Sequence, residues 1–158
     1  MTTFRFAHAV DVDVAPEVAW SVIADYARDA EWRDGVAMEH EPAGLVREGT
    51  RTRERLRAFG AEHVVVATIH DVEPGRSFAF RSLEAEMPVR GTRRVEPRPG
   101  GARIEVALEV ELRGAYALFA APFGYLFRRR LARDLERLSA LLSRGAAGEP
   151  ARATRAAA

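Results

Sequence analysis

Two charged residues lie on strand faces that the surrounding pattern directs toward a protein interior. In the predicted strand over 50–58 the arginines share one face, and Glu54 lies on the other face. Arg93 is one of the alternate residues over 87–95 whose side chains are predicted to point inward. Because successive side chains of a strand point to opposite faces, either Arg93 or its neighbour Arg94 faces inward in any regular strand. An unpaired buried charge is very costly, so each inward charge needs a partner. The two residues can pair with each other, bind a ligand oxygen, or be turned to solvent by a β-bulge.

A third inward charge lies near the C-terminus, on a helix predicted for residues 122–143. Because a helix turns by about 100° per residue, Asp134 falls within the apolar face of this helix, and Arg130 lies at the edge of that face. One interpretation is that both residues face a cavity and orient the polar end of a ligand. The alternatives are an ordinary i,i+4 ion pair, or an Asp134 held by an arginine of the sheet.

Such groups can support acid–base chemistry. A carboxyl in an apolar cavity has a raised pKa, which suits proton transfer, and an arginine can stabilise an enolate oxygen. Glu54 or Asp134 would then be the base, and Arg93 or Arg130 the stabilising cation. We find no recognisable set of catalytic residues beyond these, so no catalytic residue is assigned.

Other chemistries have little support in the composition. The chain has no cysteine, all 24 of its basic residues are arginine, and its four histidines show no metal-ligand spacing. There is no G-x-S-x-G elbow and no phosphate-binding loop. We therefore expect neither a metal nor a cofactor.

The charge balance bears on possible partners. The formal net charge is +1, which gives no global field that would favour nucleic acid. The arginines over 128–137 form a basic face on the predicted helix, but Asp134 and Glu136 interrupt it. We interpret this face as solvated, in preference to a nucleic-acid or acidic-lipid contact. No apolar run approaches the roughly 20 residues of an integral membrane segment, and the alternating N-terminus predicts a cytoplasmic location.

The order of predicted elements indicates the architecture. A half-buried strand over 3–14 is followed by two short helices, of which the first reaches about Tyr26. About six strands follow, with a turn over 97–101, and then the long helix that begins at Pro122. Hairpin-linked strands must curl to enclose a helix, so we predict an α+β domain with a curved antiparallel sheet wrapped around the last helix. This domain spans 1–144, with Gly145 as the helix C-cap, and 145–158 form a disordered tail of small residues.

Several short motifs in this order resemble the START/Bet v 1-like superfamily, the polyketide cyclase/dehydrase and lipid-transport group. The matching features are Ala15-Pro16-Glu17-Val18 at a strand end, Trp20, Asp25-Tyr26, Trp32, a strand led by Val36, the hairpin Val72-Glu73-Pro74-Gly75-Arg76 with Phe78, Gly101 before the strand over 104–112, and the long final helix. The resemblance covers about 4–143 and implies the helix-grip fold, in which about seven antiparallel strands grip the last helix over a deep apolar cavity.

The resemblance implies a small hydrophobic ligand such as a lipid, polyketide or quinone, bound between sheet and helix by a monomer or homodimer. The predicted ligand-binding residues are Trp32, Glu54, Phe78, Phe80, Arg93, Leu108, Phe123, Phe127, Arg130 and Asp134. For Trp32 the alternative is that it packs the short helices onto the sheet. Two other functions stay open: a cyclase or dehydratase using the inward charges, and a protein-interaction module with a vestigial pocket.

Overall fold

The computed structural model describes residues 2–58, 60–85 and 87–148. Its strands are β1 (Thr2–Val12), β2 (Val36–Glu41), β3 (Arg51–Ala58), β4 (Ala61–Glu73), β5 (Ser77–Glu84), β6 (Val89–Arg98) and β7 (Gly101–Leu112). The α-helices are α1 (Pro16–Ile23) and α2 (Ala120–Gly148), and two 3₁₀ helices cover Tyr26–Glu31 and Gly114–Phe119. The chain therefore has the predicted order of one strand, two short helices, six strands and a long helix.

The seven strands form a single antiparallel sheet in the order β1-β7-β6-β5-β4-β3-β2. Strands β2 to β7 form a continuous meander, and β1 pairs with β7 along its whole length. The β4–β5 ladder shifts register between Val66 and Ala67, and again between His70 and Glu73. Such irregularities bend a strand and increase its twist, which lets the sheet curve around α2. The predicted helix-grip fold is confirmed.

The side chains of β3 have the predicted directions. The four arginines at 51, 53, 55 and 57 are exposed, while Glu54 is partly buried on the opposite face. On β6, Arg93 is buried and Arg94 is exposed. The alternation in the sequence therefore identified which charges point inward, because successive side chains of a strand lie on opposite faces.

Helix α2 lies against the sheet along β1. The helix approaches the sheet closely at Gly124, where an added Cβ would lie 3.1 Å from the Phe4 ring. The second half of the helix packs solidly, since Leu135, Leu138 and Leu142 are almost fully buried. The first half is different, because its inward side chains leave space between helix and sheet, as described below.

Three predicted boundaries are corrected by the structure. Helix α2 continues to Gly148, so Gly145 lies within it and is not its C-cap; the predicted tail from 149 onward lies outside the described residues. Pro97 pairs with Ala102 in the β6–β7 ladder, so the predicted turn shrinks to Pro99 and Gly100. The first short helix ends at Ile23, three residues earlier than predicted, because the Asp25 side chain accepts a hydrogen bond from the Ala27 N–H and starts a separate 3₁₀ helix.

Candidate functional site

A cavity of about 130 Å³ lies between the sheet and the first half of α2. Its wall is mostly apolar and is contributed by β2 to β7, by the segment after the first 3₁₀ helix, and by α2. Its lining side chains are Tyr26, Trp32, Arg33, Met38, Thr52, Glu54, Leu56, His63, Val65, Ala67, Phe80, Met87, Val89, Arg93, Val106, Leu108, Val110, Phe127, Arg130, Leu131 and Asp134. An apolar enclosure with a few polar groups is the usual form of a small-molecule site.

The structure brings most of the predicted site residues to this cavity. Eight of the ten line it: Trp32, Glu54, Phe80, Arg93, Leu108, Phe127, Arg130 and Asp134. Phe78 does not; its ring packs edge-on against Trp20 and Tyr26, with centroids 6.0 Å from each. Phe123 is also absent from the wall, because it is buried and stacks on Phe127 at 4.6 Å. Both rings therefore belong to the core that supports the cavity.

Arg93 is held by a carboxylate that the sequence analysis did not identify. Its two terminal nitrogens donate to the two oxygens of Asp29, at 2.8 and 2.6 Å, and Nη1 also donates to the Ile23 carbonyl at 3.0 Å. Asp29 is fully buried in the first 3₁₀ helix. This is the two-pronged geometry in which an arginine–carboxylate pair is strongest.

Glu54 is likewise paired, but with a different arginine from the one considered in the sequence analysis. Arg33 donates to both oxygens of Glu54, at 3.0 and 2.7 Å, and also to Asp29 at 2.9 Å. The side chains thus form one chain of contacts from Glu54 through Arg33 and Asp29 to Arg93. Two carboxylates and two guanidinium groups balance each other, which makes their burial tolerable.

The pKa values follow from these contacts. Burial alone would raise the pKa of Asp29, but the guanidinium groups of Arg93 and Arg33 outweigh it and hold that pKa below its ordinary value. Burial would lower the pKa of Arg33, but Glu54 and Asp29 outweigh it and raise the value. Asp29 and Arg33 therefore carry their charges at neutral pH, and neither is a proton donor or acceptor there.

Aromatic rings enclose the Arg93 guanidinium. Its Cζ lies 4.5 Å from the Tyr26 ring centroid and 5.2 Å from that of Trp32, within the range of a cation–π contact. Burial raises the pKa of Tyr26 to about 12, against a smaller lowering effect of Arg93. Tyr26 therefore stays a neutral phenol across the physiological range.

Asp134 is much less firmly paired than Asp29. Arg130 Nε lies 4.0 Å from its Oδ2, and the Asp34 N–H lies at a long 3.4 Å from its Oδ1. The Arg130 Nη2 donates instead to the Asp34 carbonyl oxygen. Burial raises the pKa of Asp134 above its ordinary value, despite the opposing charges of Arg33 and Arg130. Among the alternatives left open by the sequence, the i,i+4 contact with Arg130 exists, but it is long and does not fully compensate the carboxylate.

Trp32 carries a buried polar group beside the cavity wall. The residue is almost fully buried, and its indole N–H has no hydrogen-bond partner within the described part of the chain. Buried N–H groups are normally satisfied, and an orphan calls for an explanation. Trp32 lines the cavity, but its indole N–H is itself buried and is not exposed to the cavity.

On the other side of the segment Trp32–Asp34 lies a second, open depression of about 420 Å³. It is lined largely by charged side chains, among them Arg55, Arg57 and Arg137. The depression is larger than the cavity, but it lacks an apolar enclosure and gives little burial to a ligand. We therefore take the enclosed cavity as the candidate site.

Asp29 and Arg33 were not among the predicted site residues because both lie in or beside a short helix whose exposed neighbours are also charged. Their i,i+4 spacing was a signal for a pair on one helical face, but it did not show that this face is buried.

Within residues 2–58, 60–85 and 87–148, no three His, Asp or Glu side chains come together to hold a metal ion. No helix described here is long and apolar enough to cross a membrane.

Several proteins of known structure have a similar fold. The chain is similar to TTHA0849 from Thermus thermophilus (19% identity, TM-score 0.77, 90% of this chain and 99% of the other). It is also similar to the Zhui aromatase/cyclase from Streptomyces sp. R1128 (18% identity, TM-score 0.75, 90% and 95%). Ara h 8.0201 matches at 12% identity and a TM-score of 0.64, over 89% and 98% of the two chains. No curated protein matches the sequence.

At such identities the structural matches establish the fold alone. The family model described as "Polyketide cyclase / dehydrase and lipid transport" matches residues 3–143, which is nearly the whole described chain. With the seven-stranded sheet, the gripped helix and the cavity in place, the chain belongs to the polyketide cyclase/dehydrase and lipid-transport family of the START/Bet v 1-like superfamily.

Proposed function

We propose that the protein binds a small, largely apolar molecule that carries at least one oxygen at its polar end. The observation that carries this proposal is the uneven polarity of the cavity wall. Apolar side chains of the sheet form most of it, while Arg130 and Asp134 present polar groups where α2 meets the segment Trp32–Asp34. Apolar burial contributes roughly 25 cal/mol per Å², and a few polar groups would fix the orientation.

Only some of the inward charges are available to a ligand. Arg93 is engaged by Asp29, and Glu54 by Arg33, each through two short hydrogen bonds. These four side chains form a rigid polar support at one end of the cavity. The loosely held Asp134 is the cavity group whose hydrogen bonding a ligand would improve.

The size of the cavity limits the ligand. Typical ligand pockets measure about 300–1,000 Å³, so 130 Å³ is small. An engineered protein cavity of about 150 Å³ accommodates benzene. A molecule of one or two rings, or a short acyl chain, therefore fits better than a long lipid does.

Two measurements test the proposal. Native mass spectrometry of freshly purified protein should show a copurified small molecule that is lost on denaturation. Isothermal titration calorimetry with 1-naphthol, which combines two apolar rings and one hydroxyl, should show binding. Ala67→Phe would fill the cavity from β4 and should weaken binding about 5- to 150-fold, since overfilling a packed site costs about 1–3 kcal/mol.

The matched control is Thr68→Phe, which adds the ring at the adjacent position of the same strand. Thr68 does not line the cavity, because neighbouring strand residues face opposite sides. Equal binding by the two variants would contradict the proposal. So would an unmodified protein that binds neither 1-naphthol nor any copurified compound.

A second candidate function is catalysis of a cyclisation or dehydration on a polyketide-like substrate. The specific observation that favours it is Asp134, a cavity carboxyl whose pKa burial raises, since a carboxyl of this kind suits proton transfer. The Arg130 guanidinium nearby could stabilise a developing enolate. Glu54 and Arg93 suit these roles less well because their hydrogen bonds are already engaged.

The catalytic candidate is tested with a short poly-β-keto ester, following aromatic product by absorbance. Asp134→Asn should lower kcat by about 10²- to 10⁴-fold, the usual contribution of a general acid or base. Glu54→Gln should reduce turnover much less. Equal activity of Asp134→Asn and the unmodified protein would exclude Asp134 as the base and leave the binding function.

A further inference from the structure

An exposed apolar surface lies where the second 3₁₀ helix joins α2. Leu118 is 84% exposed, Phe119 65%, Tyr125 63% and Leu126 44%. These four account for half of the large hydrophobic residues that are exposed in the described part of the chain, and all come from a segment of nine residues. Single exposed apolar residues need no explanation, but a cluster of large ones marks a contact surface. We call these four side chains the apolar tip.

The charged residues nearest the apolar tip along the chain are arginines, one of which, Arg113, pairs with Glu111. No charged residue occurs from 114 to 127, and the stretch is bounded by Arg113 and by Arg128-Arg129-Arg130. At about 100° per residue, Leu126, Arg129 and Arg133 fall within about 60° of one another on α2. Both arginines are exposed. The outer face of α2 therefore runs from apolar side chains to arginines, with Glu136 as the acidic residue further along it.

We propose that this face is a docking surface for membranes that contain anionic lipids. The apolar tip would enter the boundary between headgroups and acyl chains, and Arg129 and Arg133 would contact the anionic headgroups. Apolar side chains beside basic ones are the combination that holds a helix at a lipid surface. The sequence alone favoured a solvated basic face; the exposure of Leu118 and Phe119 is the observation that changes this interpretation.

Charge decides between a lipid surface and a second copy of the chain. A symmetric dimer built on the apolar tip would bring the same patch of both copies together. This patch contains arginines and no acidic residue between 113 and 133, so neither copy offers the other a compensating charge. Like charges across an interface oppose association. An anionic lipid surface instead complements these arginines.

The docking surface is continuous with the cavity wall along the chain. Leu126 is exposed, whereas Phe127 lines the cavity, as do Arg130 and Leu131 on the next turn. Docking would thus bring the part of α2 that covers the cavity to the lipid surface. The proposal does not depend on the identity of the cavity ligand.

Vesicle cosedimentation tests the proposal with the full chain. Vesicles of phosphatidylcholine with about 30 mol% phosphatidylglycerol should bind the protein at about 0.05 M NaCl, and binding should fall steeply at about 0.5 M. Pure phosphatidylcholine should bind it much less. Arg129→Gln/Arg133→Gln should weaken binding to anionic vesicles by about 25-fold, since each basic residue near such a surface contributes about fivefold. Leu118→Ser/Phe119→Ser should abolish it.

Matched controls remove the same groups elsewhere. Arg51→Gln/Arg53→Gln removes two exposed arginines from β3, and Leu45→Ser removes an exposed leucine between β2 and β3. Both should bind vesicles as the unmodified protein does. Circular dichroism would confirm that each variant is folded.

Three outcomes would overturn the proposal. One is no binding to anionic vesicles at low salt, and another is equal weakening by the β3 variant and the α2 variant. The third is a dimer in analytical ultracentrifugation that Leu118→Ser/Phe119→Ser converts to a monomer without any vesicle binding, since the face would then be an interface between two copies.

Discussion

Arg93 and Asp29 form a buried, doubly hydrogen-bonded ion pair between positions 64 residues apart in the chain. Arg93 lies on β6, in the interior of the sheet order, and Asp29 lies on the first 3₁₀ helix. The pair therefore fastens the short helical segment to the sheet at the end of the cavity. Arg33 extends the contact from Asp29 to Glu54 on β3. Asp29 therefore helps to position both Arg93 and the Arg33–Glu54 pair.

The first prediction concerns this pair. Asp29→Asn should lower the free energy of unfolding by about 3–5 kcal/mol, because it leaves the Arg93 charge buried without compensation. Chemical denaturation in urea measures the change. Glu31→Gln is the matched control, since Glu31 pairs with Arg28 on the exposed side of the same helix, and should change stability by less than about 1 kcal/mol.

A double substitution separates loss of the pair from general damage to the helix. Asp29→Asn/Arg93→Met removes both partners, and the second change should recover part of the lost stability because no unpaired charge from this pair remains. If the double variant is less stable than Asp29→Asn by the full amount that Arg93→Met costs alone, the two residues are not coupled.

The second prediction concerns pH. Burial raises the pKa of Asp134 in the folded state above its unfolded value, so the folded state binds the proton more tightly. Stability then falls as pH rises through the interval between the unfolded and folded pKa values. Asp134→Asn, which is neutral throughout, should be more stable than the unmodified protein at pH 7, and this advantage should be smallest near pH 3, below the ordinary aspartate pKa of about 3.9.

Urea denaturation at several pH values from about 3 to 7 gives this difference directly. Comparing the two proteins cancels the titration of Asp29, whose lowered pKa acts in the opposite direction. The exposed Glu136 on the same helix provides a control substitution, Glu136→Gln. A stability difference for Asp134→Asn that does not vary with pH would contradict the prediction.

The third prediction concerns the end of α2. Gly145 lies within the helix, and an added Cβ would meet nothing within 4 Å. Gly145→Ala should therefore raise the free energy of unfolding by up to about 1 kcal/mol, because alanine is the better helix former. If Gly145 were instead a left-handed C-cap, as the sequence suggested, alanine would be destabilising. Thermal unfolding followed by circular dichroism distinguishes these results by the sign of the shift in Tm.

The sequence by itself determined the directions of the side chains, and through them the architecture. Alternation along β3 and β6 placed Glu54 and Arg93 inward, and the helical period placed Asp134 on the inner face of α2. These are local properties, because the strand and helix periods depend only on neighbouring backbone geometry. The same patterns, with the short motifs between them, were sufficient to identify the helix-grip fold.

Only the tertiary structure decided which partners these charges have and how much space they enclose. Glu54 pairs with Arg33, and Arg93 with Asp29, because the side chains of the first 3₁₀ helix and of the residues after it reach both β3 and β6. The exclusion of Phe78 and Phe123 from the cavity wall was decided in the same way, by rings packed against them. The partner of a buried charge and the volume of a cavity depend on how elements distant in sequence pack together. A periodic sequence pattern carries no information about that packing.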